Sequence, residues 1–152
     1  MSSPPKQASD RSTVINLLIA LRPDQWTKNL LVFAALLFGQ RLFDLQAVIL
    51  AIKAFTIFCA LSGAVYLIND VTDRGGDRSH PHKSRRPIAA GLLSPTLAVG
   101  VAVVLNAVAL GVSFQISTYF GIVGTAYAGL LILYSVLLKH IVGIDVMTIA
   151  TG

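Results

Sequence analysis

Apolar stretches too long for the core of a small soluble domain constrain this chain more than any other feature. One runs from about Asp24 to Gln40, a second opens at Asp44 and Leu45 and continues to about Ile68, a third runs from Pro95 to Phe114 broken only by Asn106, and a fourth from Tyr119 to Leu138. Crossing a bilayer as a helix takes roughly 20 predominantly apolar residues. Hydrocarbon offers no partner for backbone polar groups, so such stretches must close their hydrogen bonds within helices. The expected fold is therefore all-α: a polytopic transmembrane helical bundle of about four complete spans. Val14 to Leu21 is too short to span and reads as an N-terminal interfacial helix. Ile141 to Gly152 reads as the start of a fifth span. Residues 1–13 are polar and rich in Pro and Ser, the mark of a disordered cytoplasmic tail, and 14–152 form one transmembrane domain without internal repeats. Leu21 is followed at once by Arg22-Pro23-Asp24 rather than by a small-residue cleavage site, so this start is not read as a signal peptide.

Charge excludes several function classes. Only 12% of residues are charged and the mean hydropathy is +0.73, against about 25% charged residues in soluble domains. A soluble nucleic-acid binder would also be basic, but it needs a water-facing surface that this composition does not supply. Cys59 is the single cysteine, which removes disulfides and cysteine metal sites within the chain. With alternating spans, Lys6, Arg11, Arg22, Lys28, Arg74, Arg78, Lys83, Arg85, Arg86 and Lys139 fall on one side and only Arg41 on the other. The positive-inside rule then makes the N-terminus and the loop from Asn69 to Ser94 cytoplasmic, in a multi-pass plasma-membrane protein. Lys53 lies within the second span, where its stem can return the ammonium to the near interface.

The stretch from Tyr66 to Asp77 carries the chemistry. On a continuous helix Asp70, Asp73 and Asp77 stand at i, i+3 and i+7, so three carboxylates share one face at the end of the second span. Their mutual repulsion beside an apolar run requires solvent or a cation to offset it, and carboxylates are the usual ligands of Mg²⁺. Mg²⁺ also takes phosphate oxygens, so the pattern implies a phosphorylated small-molecule donor bridged through metal. Asn69 adds an amide oxygen to this metal-ligand set. Gly75-Gly76 interrupts the helix and places Asp77 in a turn. The competing reading, that the acids only cap and solvate a helix end, does not explain three on one stripe, and acids are unfavourable near a helix C-terminus.

A basic loop follows, with Arg74, Arg78, Lys83, Arg85 and Arg86 around His80 and His82. Such cations suit a diphosphate held opposite the acidic face. They also suit topogenic charge and attraction to anionic lipid, and both readings stand together. The lone H-x-H has no third ligand for zinc. Tyr134, Ser135 and Lys139 end the fourth run on the same side, as phosphate ligands or as an interfacial anchor, and Arg22, Lys28 and Asn29 supply a further polar edge.

Asn69-Asp70, Asp73 and Asp77 resemble the N-D-x-x-D-x-x-x-D motif of the UbiA superfamily of intramembrane prenyltransferases. Within it, Arg22-Pro23-Asp24-Gln25-Trp26-Thr27-Lys28-Asn29-Leu30 and His80-Pro81-His82-Lys83-Ser84-Arg85-Arg86-Pro87-Ile88-Ala89 are similar to the bacterial decaprenyl-phosphate phosphoribosyltransferases. The resemblance covers residues 14 to 152 and corresponds to the first half of such an enzyme, so this chain alone is expected to be inactive. It implies transfer of a 5-phosphoribosyl group from phosphoribosyl diphosphate to a membrane polyprenyl phosphate, for cell-wall arabinan precursors. Asp70, Asp73 and Asp77 would be catalytic and hold Mg²⁺ with Asn69; Arg22, Lys28, Asn69, Arg74, Arg78, Lys83, Arg85, Arg86, Tyr134 and Lys139 would bind phosphate. The alternative within the superfamily is prenyl transfer to an aromatic acceptor. From a different class, a transporter module would bind a cation in transit, but its acids belong near the membrane midplane rather than at a helix end. The reading leaves a homo-oligomer open.

Overall fold

The computed structural model describes residues 12–135, all of whose regular structure is helical. Ser12 accepts the Ile15 N–H and caps α1, Thr13–Ala20, the place expected for the interfacial helix. A 3₁₀ segment, Pro23–Phe33, leads into the short α2, Ala34–Phe38. Asp44 caps α3, Leu45–Thr72, by accepting the N–H groups of Gln46 and Ala47. The short α4, Arg74–Ser79, and a 3₁₀ turn, Lys83–Arg85, precede α5, Pro95–Ile116, and α6, Thr118–Leu133.

Two helices, α3 and α5, are long and apolar enough to cross a membrane, and α6 is a shorter apolar helix. The expected first span is not one regular α-helix: Asp24 to Gln40 divides between 3₁₀ and α geometry. The 3₁₀ form rises about 2.0 Å per residue against 1.5 Å, so this segment reaches further per residue than the α-helix expected. Gly75-Gly76 also differ from expectation. The break falls two residues earlier, at Asp73, and both glycines and Asp77 are helical within α4. The residues 1–11, Lys139, the end of the fourth run and the expected fifth helix lie outside the described residues.

Packing runs along α3. At one end Ala20, Ala64, Leu67, Ile88, Leu93, Ala98 and Ala102 form a buried cluster that joins α1, α5 and the loop after α4. At the other, Ile57, Leu61, Ala109 and Ala128 join α5 and α6, with Phe58 set edge-on to Tyr127 at 4.8 Å. Alanines at the crossings let backbones approach, as membrane helices require in the absence of a hydrophobic drive between them. Gly63 belongs to this logic: a Cβ there would lie 2.9 Å from Leu21 Cδ2, so the leucine that ends α1 packs directly over this glycine of α3. Outward-facing Val103, Val104 and Val108 on α5 are each about 60% exposed, which suits lipid.

Candidate active site

α3 and α6 end at the same pole of the bundle, where Ser135, just past α6, donates to Asn69 Oδ1 near the end of α3, and α5 begins there too, its Ala98 in one buried cluster with Leu67. There the chain assembles an ion cluster. Asp70, in the last turn of α3, is 2% exposed, and its Oδ1 accepts from Arg22 Nη2 at 2.5 Å and from Arg86 Nη1 at 3.1 Å. Arg86 Nη1 also donates to Asp77 Oδ2 at 2.7 Å. One guanidinium thus joins two buried carboxylates. The like-charge repulsion that the sequence pattern implies is offset here by two arginines, which come from opposite directions in the chain.

Each arginine is aimed by its backbone. Arg22 takes a left-handed conformation (φ 54°) immediately before Pro23, where a non-glycine residue is disfavoured on both counts. That turn lets its guanidinium lie 4.8 Å over the Tyr66 ring while pairing with Asp70. Arg86 is held by the buried residues that follow it. Ile88 is fully buried, and Pro87 accepts the Leu92 and Leu93 N–H groups at 2.8 and 3.1 Å. Gly91, at φ +77°, closes that turn with the backbone freedom glycine has.

Above the cluster opens a cavity of about 450 Å³. Its wall brings together Arg22, Lys28, Asn69, Asp73, Lys83, Arg86, Tyr134 and Ser135 from the sequence-derived set. Three residues per turn explain the first edge: in 3₁₀ geometry i and i+3 eclipse, so Arg22, Gln25 and Lys28 form one column facing the cavity. Below them Asn29 donates to Ser62 Oγ at 3.4 Å and Cys59 Sγ at 3.5 Å, and accepts from the Tyr127 hydroxyl at 3.1 Å. This buried network fastens the 3₁₀ segment to α3 and α6. Gln25, Ser62, Tyr66 and Tyr127 are wall residues that sequence reasoning missed; the i+3 spacing from Arg22 could have signalled Gln25, whereas the other three lie on α3 and α6, where no local pattern marks them.

The remaining predicted residues sit elsewhere. Arg74 starts α4 and Arg85 is exposed in the 3₁₀ turn, and neither lines the cavity. Arg78 donates through Nε to the Ala89 carbonyl at 3.2 Å, a loop-bracing role. Asp70 and Asp77 meet the cavity through the arginines rather than directly. His80 Nδ1 accepts the N–H groups of His82 and Lys83 and so shapes the turn. Among the described residues no three His, Cys, Asp or Glu side chains converge as a ready metal cluster. The oxygen donors of Asp73 and Asn69 on the wall are nevertheless of the hard type that a divalent cation takes.

Comparison with known proteins supplies the family. The model of the UbiA prenyltransferase family matches residues 29–152. The chain belongs to that family. UbiA members are integral membrane proteins, and the apolar α3 and α5 fit that setting. The chain is 39% identical over 153 aligned residues to the decaprenyl-phosphate phosphoribosyltransferase of Corynebacterium glutamicum, covering 98% of this chain and 45% of that protein. It is 36% identical to the Mycolicibacterium smegmatis enzyme of the same name, over 97% of this chain and 48% of that protein. A protoheme IX farnesyltransferase of Archaeoglobus fulgidus is 33% identical over 59% of this chain and 32% of its own length. The chain spans about half the length of the phosphoribosyltransferases it matches.

Proposed function

We propose that this chain forms the diphosphate-binding half of a membrane phosphoribosyltransferase, which moves a 5-phosphoribosyl group from phosphoribosyl diphosphate onto a polyprenyl phosphate such as decaprenyl phosphate. The supporting observation is the cavity wall: Arg22, Lys28, Lys83 and Arg86 converge over Asp70 and Asp73 at the C-terminal end of α3. Cations so placed match the charge that a departing pyrophosphate develops, and fixed donors are worth most where water is excluded. The polyprenyl phosphate oxygen forms the new bond to ribose C1 as the C1–pyrophosphate oxygen bond breaks, and pyrophosphate leaves with that electron pair. The nucleophile is already anionic, so no general base is needed. Lys28 and Lys83 on the wall receive the leaving phosphates, and Arg22 and Arg86 bind them while still holding Asp70.

A divalent cation, Mg²⁺ by the chemistry of the donors, would be held by Asp73 and Asn69 on the cavity wall, with Asp70 and Asp77 beneath them paired to Arg22 and Arg86. It would supply charge neutralisation to the pyrophosphate. By the positive-inside rule this pole faces the cytoplasm, and the mature enzyme serves assembly of cell-wall arabinan.

A second reading, prenyl transfer from a prenyl diphosphate to an aromatic acceptor, draws on the farnesyltransferase relative. The phosphate chemistry is shared, so only the products separate them. A cation-transport role is disfavoured, because Asp70 stands in the last turn of α3 and Asp77 beyond it. The deciding experiment offers the full-length parent protein phosphoribosyl diphosphate with decaprenyl phosphate, or a prenyl diphosphate with 4-hydroxybenzoate. Lipid-linked ribose phosphate is the expected product; a prenylated aromatic alone would transfer the case to the second reading.

A further inference from the structure

We propose that the opposite pole of α3 carries a separate phosphate-binding site centred on Lys53. A cavity of about 670 Å³ opens there between the start of α3 and the end of α5, lined by Lys53, Arg41 and Gln115 with Leu50 and Val112 among its apolar walls. Lys53 lies eight residues into α3, about 12 Å along the axis. Ser62 on the wall of the active-site cavity follows nine residues later, two and a half turns on at 3.6 residues per turn. The two therefore face opposite sides of α3, and Lys53 belongs to neither the ion cluster nor its cavity.

A lysine at that depth is costly unless its charge is met. Asp44 is the acid at this pole, and its oxygens are committed. Oδ2 pairs with Arg41 at 2.8 Å, and Oδ1 accepts the Gln46 and Ala47 N–H groups at 3.0 and 3.2 Å. Among the described residues no carboxylate pairs with Lys53. The cavity thus offers two cations against one occupied carboxylate, with an amide on the α5 side and apolar walls beneath. Arg41, 66% exposed at the mouth, has further N–H groups for a second contact. The four-carbon stem of Lys53 carries its ammonium back toward headgroup depth.

That combination fits a phosphate group, either the headgroup of an anionic phospholipid whose tails follow the apolar walls or a free phosphate ion. The site stands independently of the transfer reaction proposed above.

The test is made on the full-length protein in detergent, by native mass spectrometry of retained lipid and by thermal melting with phosphatidylglycerol or with inorganic phosphate. Wild-type protein is expected to retain phosphatidylglycerol and melt higher with it. Lys53→Met, which keeps the side-chain length and suits lipid, should lower retention about fivefold, the effect of one lysine at an anionic lipid surface. Lys53→Arg should restore it. Stabilisation by inorganic phosphate that is lost in Lys53→Met would assign the same site to the free ion. Equal retention by wild type, Lys53→Met and Arg41→Gln, with no phosphate effect, would overturn the proposal.

Discussion

Arg86 is the residue on which the ion cluster turns, since a single nitrogen of its guanidinium contacts both Asp70 and Asp77. Removing it leaves two buried carboxylates facing each other with Arg22 as the recorded counter-charge to one of them. Breaking a buried pair from one side costs about 3 kcal/mol. Arg86→Gln should therefore lower the melting temperature of the detergent-solubilised protein, and the Arg86→Gln, Asp77→Asn double variant should recover part of that loss. If the single variant melts like wild type, the bridge carries no energy. Arg22 combines this kind of pairing with backbone strain. Arg22→Gly would relieve the left-handed φ, about 1 to 2 kcal/mol, while losing the guanidinium, so stability should fall less than in Arg86→Gln while activity of the full-length protein falls about 100-fold, the scale of one lost transition-state donor. A proportionate loss of both would contradict the separation.

At the scale of elements, the spans around α3 and α5 were legible because uninterrupted apolar length is a one-dimensional signal. Asp44 and Pro95 also mark their starts as capping and first-turn residues do. The 3₁₀ winding of Pro23–Phe33 was not legible. Its apolar content suits an α-helix equally, and what selects the tighter form is a set of partners on other elements, Cys59, Ser62 and Tyr127 around Asn29. The aspartate spacing was legible, but its counter-ions were not. Arg22 and Arg86 reach Asp70 across 48 and 16 residues, and nothing local announces those pairings. The break at Asp73 likewise overrode the glycine signal, for the Asp77 N–H bonds the Asp73 carbonyl at 2.8 Å and carries helical geometry across Gly75 and Gly76. Gly63→Val tests the packing account: the new side chain would meet Leu21, part α1 from α3, and destabilise by about 1 to 3 kcal/mol of overpacking, read as a lower melting temperature. Unchanged melting would mean that α1 docks loosely. Acid sensitivity belongs to this scale too. The Ala47 N–H foremost, together with Arg41, holds the half-buried Asp44 carboxyl below the ordinary carboxylate range. Its cap on α3 is therefore complete above the ordinary value and lost as pH falls through the lowered one. Asp44→Asn should keep the cap and remove that part of the acid dependence of melting.

For the whole molecule, the described helices form one wall of the proposed active site. The chain covers about half of its phosphoribosyltransferase relatives. We expect the 152-residue chain by itself to show no transfer, with activity appearing in the full-length parent; turnover by the chain alone would refute this. The most direct test of the central claim, that arginine, lysine and aspartate side chains at one pole of α3 together hold a diphosphate, is titration calorimetry of pyrophosphate into the full-length protein with and without Mg²⁺. The account predicts binding that strengthens with Mg²⁺, weakens at least about tenfold in Arg22→Gln and Lys28→Gln, and loses its Mg²⁺ response in Asp73→Asn. Pyrophosphate affinity that is the same in all four proteins and indifferent to Mg²⁺ would contradict it.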